Sequence, residues 1–413
     1  MKASAFVYPW DVNGDPAAAE RIAGLGVPQV TLASAYHSTR ALTPRHPRHR
    51  IVTAEHAAVL YPPGKRWKGR TLRPYAAGDW ALGDAYGEAA EALAGAGLDV
   101  HTWVVLAHNS RLGEEFPCTN VVNAYGDRYP WAPCIAQPTT RAYLVDLAAE
   151  AAVRPGARGT ELESLGWYGL AHLHAHDKIG GTGLGDAGQY LMSLCFCSAC
   201  RKGYAGQELD AGALAVAVRA ALEPVWRGAP SDGGWTTVEK LLGSELATAT
   251  RAWREETART LQEAAVTAVR AAAPDGFQVL LHADPVAYHC GANAGVDPAH
   301  ILSVADGVVV PCTGGAALLT PFAQQGTGAV LAANLTVVSG MGGSPGTLAE
   351  DADRAASLGA TELRLYHAGL ASDADLATVQ EALARLGRAP ARSGTDAVVG
   401  RTRPSSTSST SSV

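Results

Sequence analysis

Short apolar runs alternate with Ala-rich amphipathic stretches along most of the chain, and that alternation predicts strands and helices in turn. Runs at 4–8, 29–35, 100–107, 161–165, 278–282, 307–311, 329–337 and 362–367 have the length and apolarity of buried strands. Between most of them lie helical patterns such as DPAAAERIAGLG, TTRAYLVDLAAEAAV, TLAEDADRAASLG and DADLATVQEALARLG. Several of these open on Asp or Thr and close near Gly, the residues that cap helix ends. Eight strand–helix units in sequence predict an α/β fold, a (β/α)8 TIM barrel, with a doubly wound sheet as the competitor.

Two features favour the barrel. FVYPWDVNGDP follows the first strand where a doubly wound nucleotide binder carries a Gly-rich turn, so no organic cofactor is expected. Polar and aromatic residues also recur at the C-terminal strand ends: Tyr8, Trp10 and Asp11, Tyr36 and His37, His108 and Asn109, Glu163 and Ser164, His282 and Asp284, and Tyr366 and His367. In a barrel those ends converge on one mouth, where chemistry is placed. Residues 1–390 are read as one barrel domain with long insertions after strand two (38–80) and strand four (169–275). The second insertion includes one long helical pattern from about 236 to 273. The Ser/Thr-rich tail 391–413, ending RPSSTSSTSSV, is expected to be disordered.

Composition narrows the function. A net charge of −6 and no basic run of useful length argue against a nucleic-acid partner, and no apolar run is long enough for a membrane span. The start, MKASAFVYPWDVNGDP, has no room for the apolar core of a signal peptide. Seven cysteines, three of them crowded into six positions, do not make a disulfide framework, so a reducing cytoplasm is expected.

The crowded three stand in SLCFCSACRKGY. Cys195, Cys197 and Cys200 could supply three corners of a zinc tetrahedron, leaving Cys118, Cys134, Cys290, Cys312 or a histidine for the fourth. The alternative is three small buried hydrophobes at a helix start. A site closed by four ligands would be structural, because catalysis needs an open position.

The run ESLGWYG followed by SLCFCSACRKGY resembles glycoside hydrolase family 42, the clan A β-galactosidases. That family ends its fourth strand on a catalytic Glu, follows it with C-x-C-x2-C, and carries an upstream Cys before its third helix. PCIAQPTTRAYLVDLAAEA puts Cys134 in that upstream place. The resemblance therefore implies a structural zinc site of Cys134, Cys195, Cys197 and Cys200, and Glu163 as acid/base on a carbohydrate substrate. It covers about residues 130–205. The family has Asn before its acid/base Glu where this chain has Leu162, and strand seven, AVLAANLTVVSG, carries no carboxylate for a nucleophile.

The residues lead to Glu163 on their own account as well. In GTELESLGW, Glu161 and Glu163 are two apart, so a strand points both to one side. Two inward carboxylates need partners or a function, and the one nearer the mouth, Glu163, suits a general acid. Glycosidases commonly use a second carboxylate, for which Asp284, Glu161 and Asp11 are available. Asp306 begins a strand, at the wrong end of the barrel. Trp10, Tyr36, Trp167, Tyr168, Tyr288 and Tyr366 could stack on sugar rings; His37, His108, Asn109, His282, Asn334 and, as an alternative role, Asp11 could bind hydroxyls.

Two other functions compete with a glycosidase. His172, His174 and His176 in AHLHAHDKIGG could hold a catalytic metal in a metal-dependent hydrolase. The missing strand-seven carboxylate also fits a non-catalytic glycan-binding barrel.

Overall fold

A computed structural model describes residues 1–173 and 177–388. Its frame is a ring of eight parallel strands: β1 (Lys2–Val7), β2 (Gln29–Tyr36), β3 (Asp99–Val105), β4 (Ala157–Glu163), β5 (Gln278–Asp284), β6 (Gly307–Pro311), β7 (Val330–Thr336) and β8 (Glu362–Tyr366). Each strand pairs with the next in chain order, and β8 returns to β1 with Arg364 opposite Ser4. The sheet is closed, which a doubly wound sheet never is. The fold is a TIM barrel.

Helices cover the outside: α1 (Ala18–Ala23), α2 (Ala85–Gly95), α3 (Pro138–Ala152), α4 (Ser244–Ala272), α5 (Pro298–Val304), α6 (Thr320–Ala323), α7 (Leu348–Ser357) and α8 (Asp373–Arg388). Period-two alternation sorts each strand between two cores. Thr102 and Thr160 face outward; their hydroxyls lie 2.8 Å apart, and that of Thr102 donates to Ala152 O at the end of α3 (2.9 Å). The intervening residues Glu161 and Glu163 face the barrel interior.

The interior is polar low down and aromatic toward the mouth. Ser4 and Thr31 hydroxyls are 2.8 Å apart, Thr31 donates to Glu161 (3.2 Å), and Arg364 Nε meets the same carboxylate at 2.5 Å. Above them Phe6, Trp103 and Tyr366 pack edge to face or tilted, with ring centres 4.7–5.6 Å apart. Strand four begins four residues earlier than its apolar run suggests, because its first residues serve other ends. Arg158 pairs with Asp99 outside the barrel (2.8 Å). Gly159 leaves room inside for the His101 ring, whose Cε1 would be 2.5 Å from any Cβ there.

Three excursions leave the ring on the mouth side. After β2 the chain forms a hairpin, Thr39–Leu42 with Ile51–Ala54. After β3 come the helix Ser110–Glu115 and a hairpin, Asn120–Val122 with Arg128–Pro133. After β4 come four helices, Asp186–Met192, Ser198–Gly206, Ala211–Trp226 and Gly234–Leu242. The single long helix expected over 236–273 is two, since Gly243 stops the first at φ 89° and α4 restarts beyond it. No helix among the described residues is long and apolar enough to cross a membrane. The tail 391–413 lies outside the described residues.

Candidate active site

A cavity of about 580 Å3 opens at the C-terminal mouth, and Glu163 is the only acidic side chain among the described residues that line it. Glu163 is 4% exposed. Its Oε2 accepts from Trp103 Nε1 at 2.6 Å and lies 3.8 Å from His282 Nδ1. Burial pushes the Glu163 carboxyl above its ordinary value; His282 and the Trp103 bond pull it back, and the Glu161 charge adds to the rise. A carboxyl so placed holds its proton at a higher pH than an exposed one, as a general acid requires.

Glu161, one alternation lower, has the opposite environment. Burial would raise its pKa, but the Arg364 guanidinium, with His282 and His101 adding, holds it at about 2. It therefore stays ionised and does not line the cavity. The His282 ring sits between the two carboxylates, 3.5 Å from Glu161 Oε2 on one side and 3.8 Å from Glu163 on the other. Two inward glutamates on one strand thus have opposite environments, one carboxyl pulled below its ordinary value by Arg364 and the other pushed above it by burial.

Much of the rest of the lining is aromatic and imidazole, with Arg40 and apolar residues such as Leu42, Val338 and Leu370 beside them. The Tyr8 hydroxyl is 3.0 Å from that of Tyr36 and 2.9 Å from His367 Nδ1. His108 stacks on Tyr168, with ring centres 4.2 Å apart, and His37 stacks on Tyr36 at the same spacing. Burial lowers all three imidazoles, with His108 and His367 at about 3, so they are neutral near pH 7. Neutral rings of this kind donate and accept single hydrogen bonds, as sugar hydroxyls do. Ser164 and His367 hold left-handed backbone (φ 58° and 62°), each directly after an inward residue at a strand end. Such conformations cost about 1–3 kcal/mol each and cluster where backbone is aimed for function.

Of the residues singled out in the sequence, Glu163, Tyr36, His37, His108, Tyr168, His172 and Tyr366 meet in this cavity. The others are engaged elsewhere. Asp284 accepts from Val286 N (2.8 Å) and faces His289 (3.0 Å), turning the loop after β5. Asp11 accepts from Tyr8 N (2.9 Å) behind the cavity wall, where burial raises it to about 7 against the pull of that bond and Arg45. Trp10 stacks on the back of Tyr8. Asn109 caps a helix through Leu112 N (3.0 Å), and Trp167 donates to Arg254 O (3.0 Å). Tyr288 packs against Tyr190 and Trp235, and buried Asn334 lies outside the lining. Sequence reasoning passed over Trp103 and Arg40, and it placed Tyr8 and His367 at strand ends without giving them a role. Alternation from His101 along β3 would have turned Trp103 inward.

His172 lines the cavity with its Nε2 3.3 Å from the Tyr168 hydroxyl, while His174 and His176 lie outside the described residues. Among the described residues, the only group of ligand side chains close enough to hold a metal is Cys134, Cys195, Cys197 and Cys200. Their four sulfurs lie within 4.8 Å of one another, and Cys134 Sγ is 3.5 Å from that of Cys197 and 3.6 Å from that of Cys200. A zinc–sulfur tetrahedron has edges of about 3.8 Å. All four are buried, and Val122 N donates to Cys195 Sγ (3.4 Å), as backbone does to a ligating thiolate. The donor set fits a soft cation, and these four cysteines could hold a metal ion.

No protein-family model matches the chain, and no curated protein matches its sequence. Solved structures do match its fold. α-L-Fucosidase isoenzyme 2 from Paenibacillus thiaminolyticus aligns over 94% of this chain and 49% of its own, at 12% identity and a TM-score of 0.56. β-Galactosidase from Bacillus circulans sp. alkalophilus aligns over 89% and 50%, at 12% identity and 0.51. The β-amylase catalytic domain from Paenibacillus polymyxa aligns over 94% and 99%, at 11% identity and 0.56. The chain thus spans about half the length of the fucosidase and the galactosidase, and nearly all of the amylase domain. What they share with it is the TIM-barrel fold.

Proposed function

We propose that the protein cleaves a glycosidic bond in this cavity, with Glu163 as the general acid that protonates the departing oxygen. The observation that carries the proposal is the pair of environments on β4. A buried carboxyl of raised pKa stands at the mouth, directly above a carboxylate locked ionised by Arg364. The structural neighbours, named as a fucosidase, a galactosidase and an amylase, support a carbohydrate substrate. Tyr8, Tyr36 and Tyr366 with the neutral imidazoles supply aromatic faces and hydroxyl partners for sugar rings.

One carboxylate among the described residues of the lining favours a substrate that brings its own attacking group, such as a 2-acetamido sugar. Comparing nitrophenyl 2-acetamido glycosides with their 2-hydroxy counterparts tests this. Turnover confined to the 2-hydroxy series would count against it.

The acid assignment predicts a pH effect. The Trp103 bond stabilises the charged form of Glu163, so Trp103→Phe is expected to raise its pKa further. The alkaline limb of kcat/KM should move upward by about one unit. An unmoved limb would mean that another group titrates there.

The cysteine cluster is proposed as a structural zinc site tying the segment before α3 to the excursion after β4. The cation would neutralise the thiolates and add its binding energy to folding. Metal analysis of the purified protein should find about one zinc per chain. Cys200→Ser should lose it and lower the melting temperature. Full stability in a metal-free protein would remove the assignment.

A further inference from the structure

The excursion after β2 is charged against the rest of the molecule. Residues 38–80 carry nine Arg and Lys against two acidic residues, Glu55 and Asp79, in a chain of net charge −6. Some of this charge is spent inside the protein. Arg45 donates to the carbonyls of Ala368, Gly369 and Ala371, and Arg50 to that of His46. Arg66 and Arg70 pair with Asp146 at 3.2 and 2.7 Å. Arg40, Arg48, Lys65, Lys68 and Arg73 remain exposed, and none has an acidic partner among the described residues.

Four of the five line two cavities. Arg40 lines the catalytic cavity itself. Lys65, Lys68 and Arg73 line a second open groove of about 560 Å3, whose only acidic side chain among the described residues, Glu115, is matched by Arg111 (3.0 Å) and Tyr75 (2.6 Å). The two cavities share a partition. Pro74 and Tyr75 of the groove also wall a narrow crevice whose other side is Tyr36 and His108 of the catalytic cavity.

We infer that the groove of Lys65, Lys68 and Arg73, with Arg40 at the cavity, binds an acidic polysaccharide whose chain extends from the cleavage site. Only a polymer reaches both cavities, and only an anionic one gains from cations left unpaired. The aromatic faces needed to stack nucleic-acid bases are occupied, since Trp67 is buried and Arg111 covers the Tyr75 ring at 4.3 Å. The inference rests on the glycosidase reading for the sugar nature of the ligand, while the charge argument stands without it.

Calorimetry on the full chain tests it, with polygalacturonate as a carboxylate polymer, dextran sulfate as a sulfated one and dextran as the neutral reference. The expected result is binding at least about tenfold tighter to one acidic polymer than to dextran, weakening with salt. Which polymer binds distinguishes carboxylate from sulfate. Lys65→Glu/Lys68→Glu/Arg73→Glu should lose about tenfold of that affinity. Arg354→Glu/Arg385→Glu/Arg388→Glu, an equal charge reversal on α7 and α8, should leave it unchanged. Equal binding to dextran, an equal loss in the remote variant, or tighter binding to duplex DNA or phosphatidylglycerol vesicles would each overturn the inference. Binding is read without turnover. A protein that binds acidic glycan but cleaves no glycoside refutes the enzymatic reading alone, and a working glycosidase indifferent to charge refutes this inference alone.

Discussion

Glu163→Gln is expected to lower glycoside turnover by about a thousandfold while leaving the circular dichroism spectrum unchanged. The amide keeps the shape of the side chain and its contact with Trp103, but it has no proton to give to a leaving oxygen. The loss should depend on the leaving group. An alkoxide of high pKa needs protonation as it departs, whereas a dinitrophenolate leaves unaided, so activated aryl glycosides should retain much of their rate. The pH profile follows from the raised pKa of Glu163. Activity that needs its protonated form is present below that pKa and lost as pH rises through it, and Glu163→Gln should remove that limb. A uniform loss across all leaving groups would show that the residue binds substrate but does not protonate it.

Arg364→Met is expected to destabilise the fold by about 3–5 kcal/mol at pH 7, the usual cost of stranding one partner of a buried ion pair. Arg364 is fully buried and contacts Glu161 at 2.5 Å and Glu362 at 2.8 Å. Without it Glu161 must either remain charged in the barrel interior or take up a proton. The folded-state pKa of Glu161, about 2, is below its ordinary 4.5. The stability it contributes is therefore complete above pH 4.5 and is lost as pH falls toward 2. The gap between wild type and variant, measured by urea unfolding, should narrow across that window. Arg364→Met/Glu161→Gln should recover most of the loss, because no charge is then left unpaired. A single variant that lost less than about 1 kcal/mol would show that solvent reaches the pair.

The pairing of Glu161 with Arg364 also marks where sequence reasoning stops. Alternation along GTELE placed both glutamates inside the barrel, and strand order put Glu163 nearer the mouth. Nothing local says that an arginine some two hundred residues later neutralises one of them and not the other. Asp284 and Asp11 fail to reach the cavity for a similar reason. Both stand at strand ends, but one turns back onto its own loop and the other caps its own backbone, and polar residues at strand ends serve turns as readily as chemistry. The cysteine cluster was more legible, since three thiols on one turn leave few other uses, and the resemblance supplied Cys134. The basic groove was not. Its cations are separated by Trp, Gly, Thr and Leu along the chain, and only folding shows which of them Asp146 takes.

Hydrolysis of a panel of nitrophenyl glycosides and oligosaccharides by wild type and Glu163→Gln side by side tests the central claim most directly. The account predicts release of product by the wild-type protein from at least one glycoside, and its suppression in Glu163→Gln for substrates with poor leaving groups. Equal turnover by both proteins, or none by the wild type on any glycoside, would contradict it.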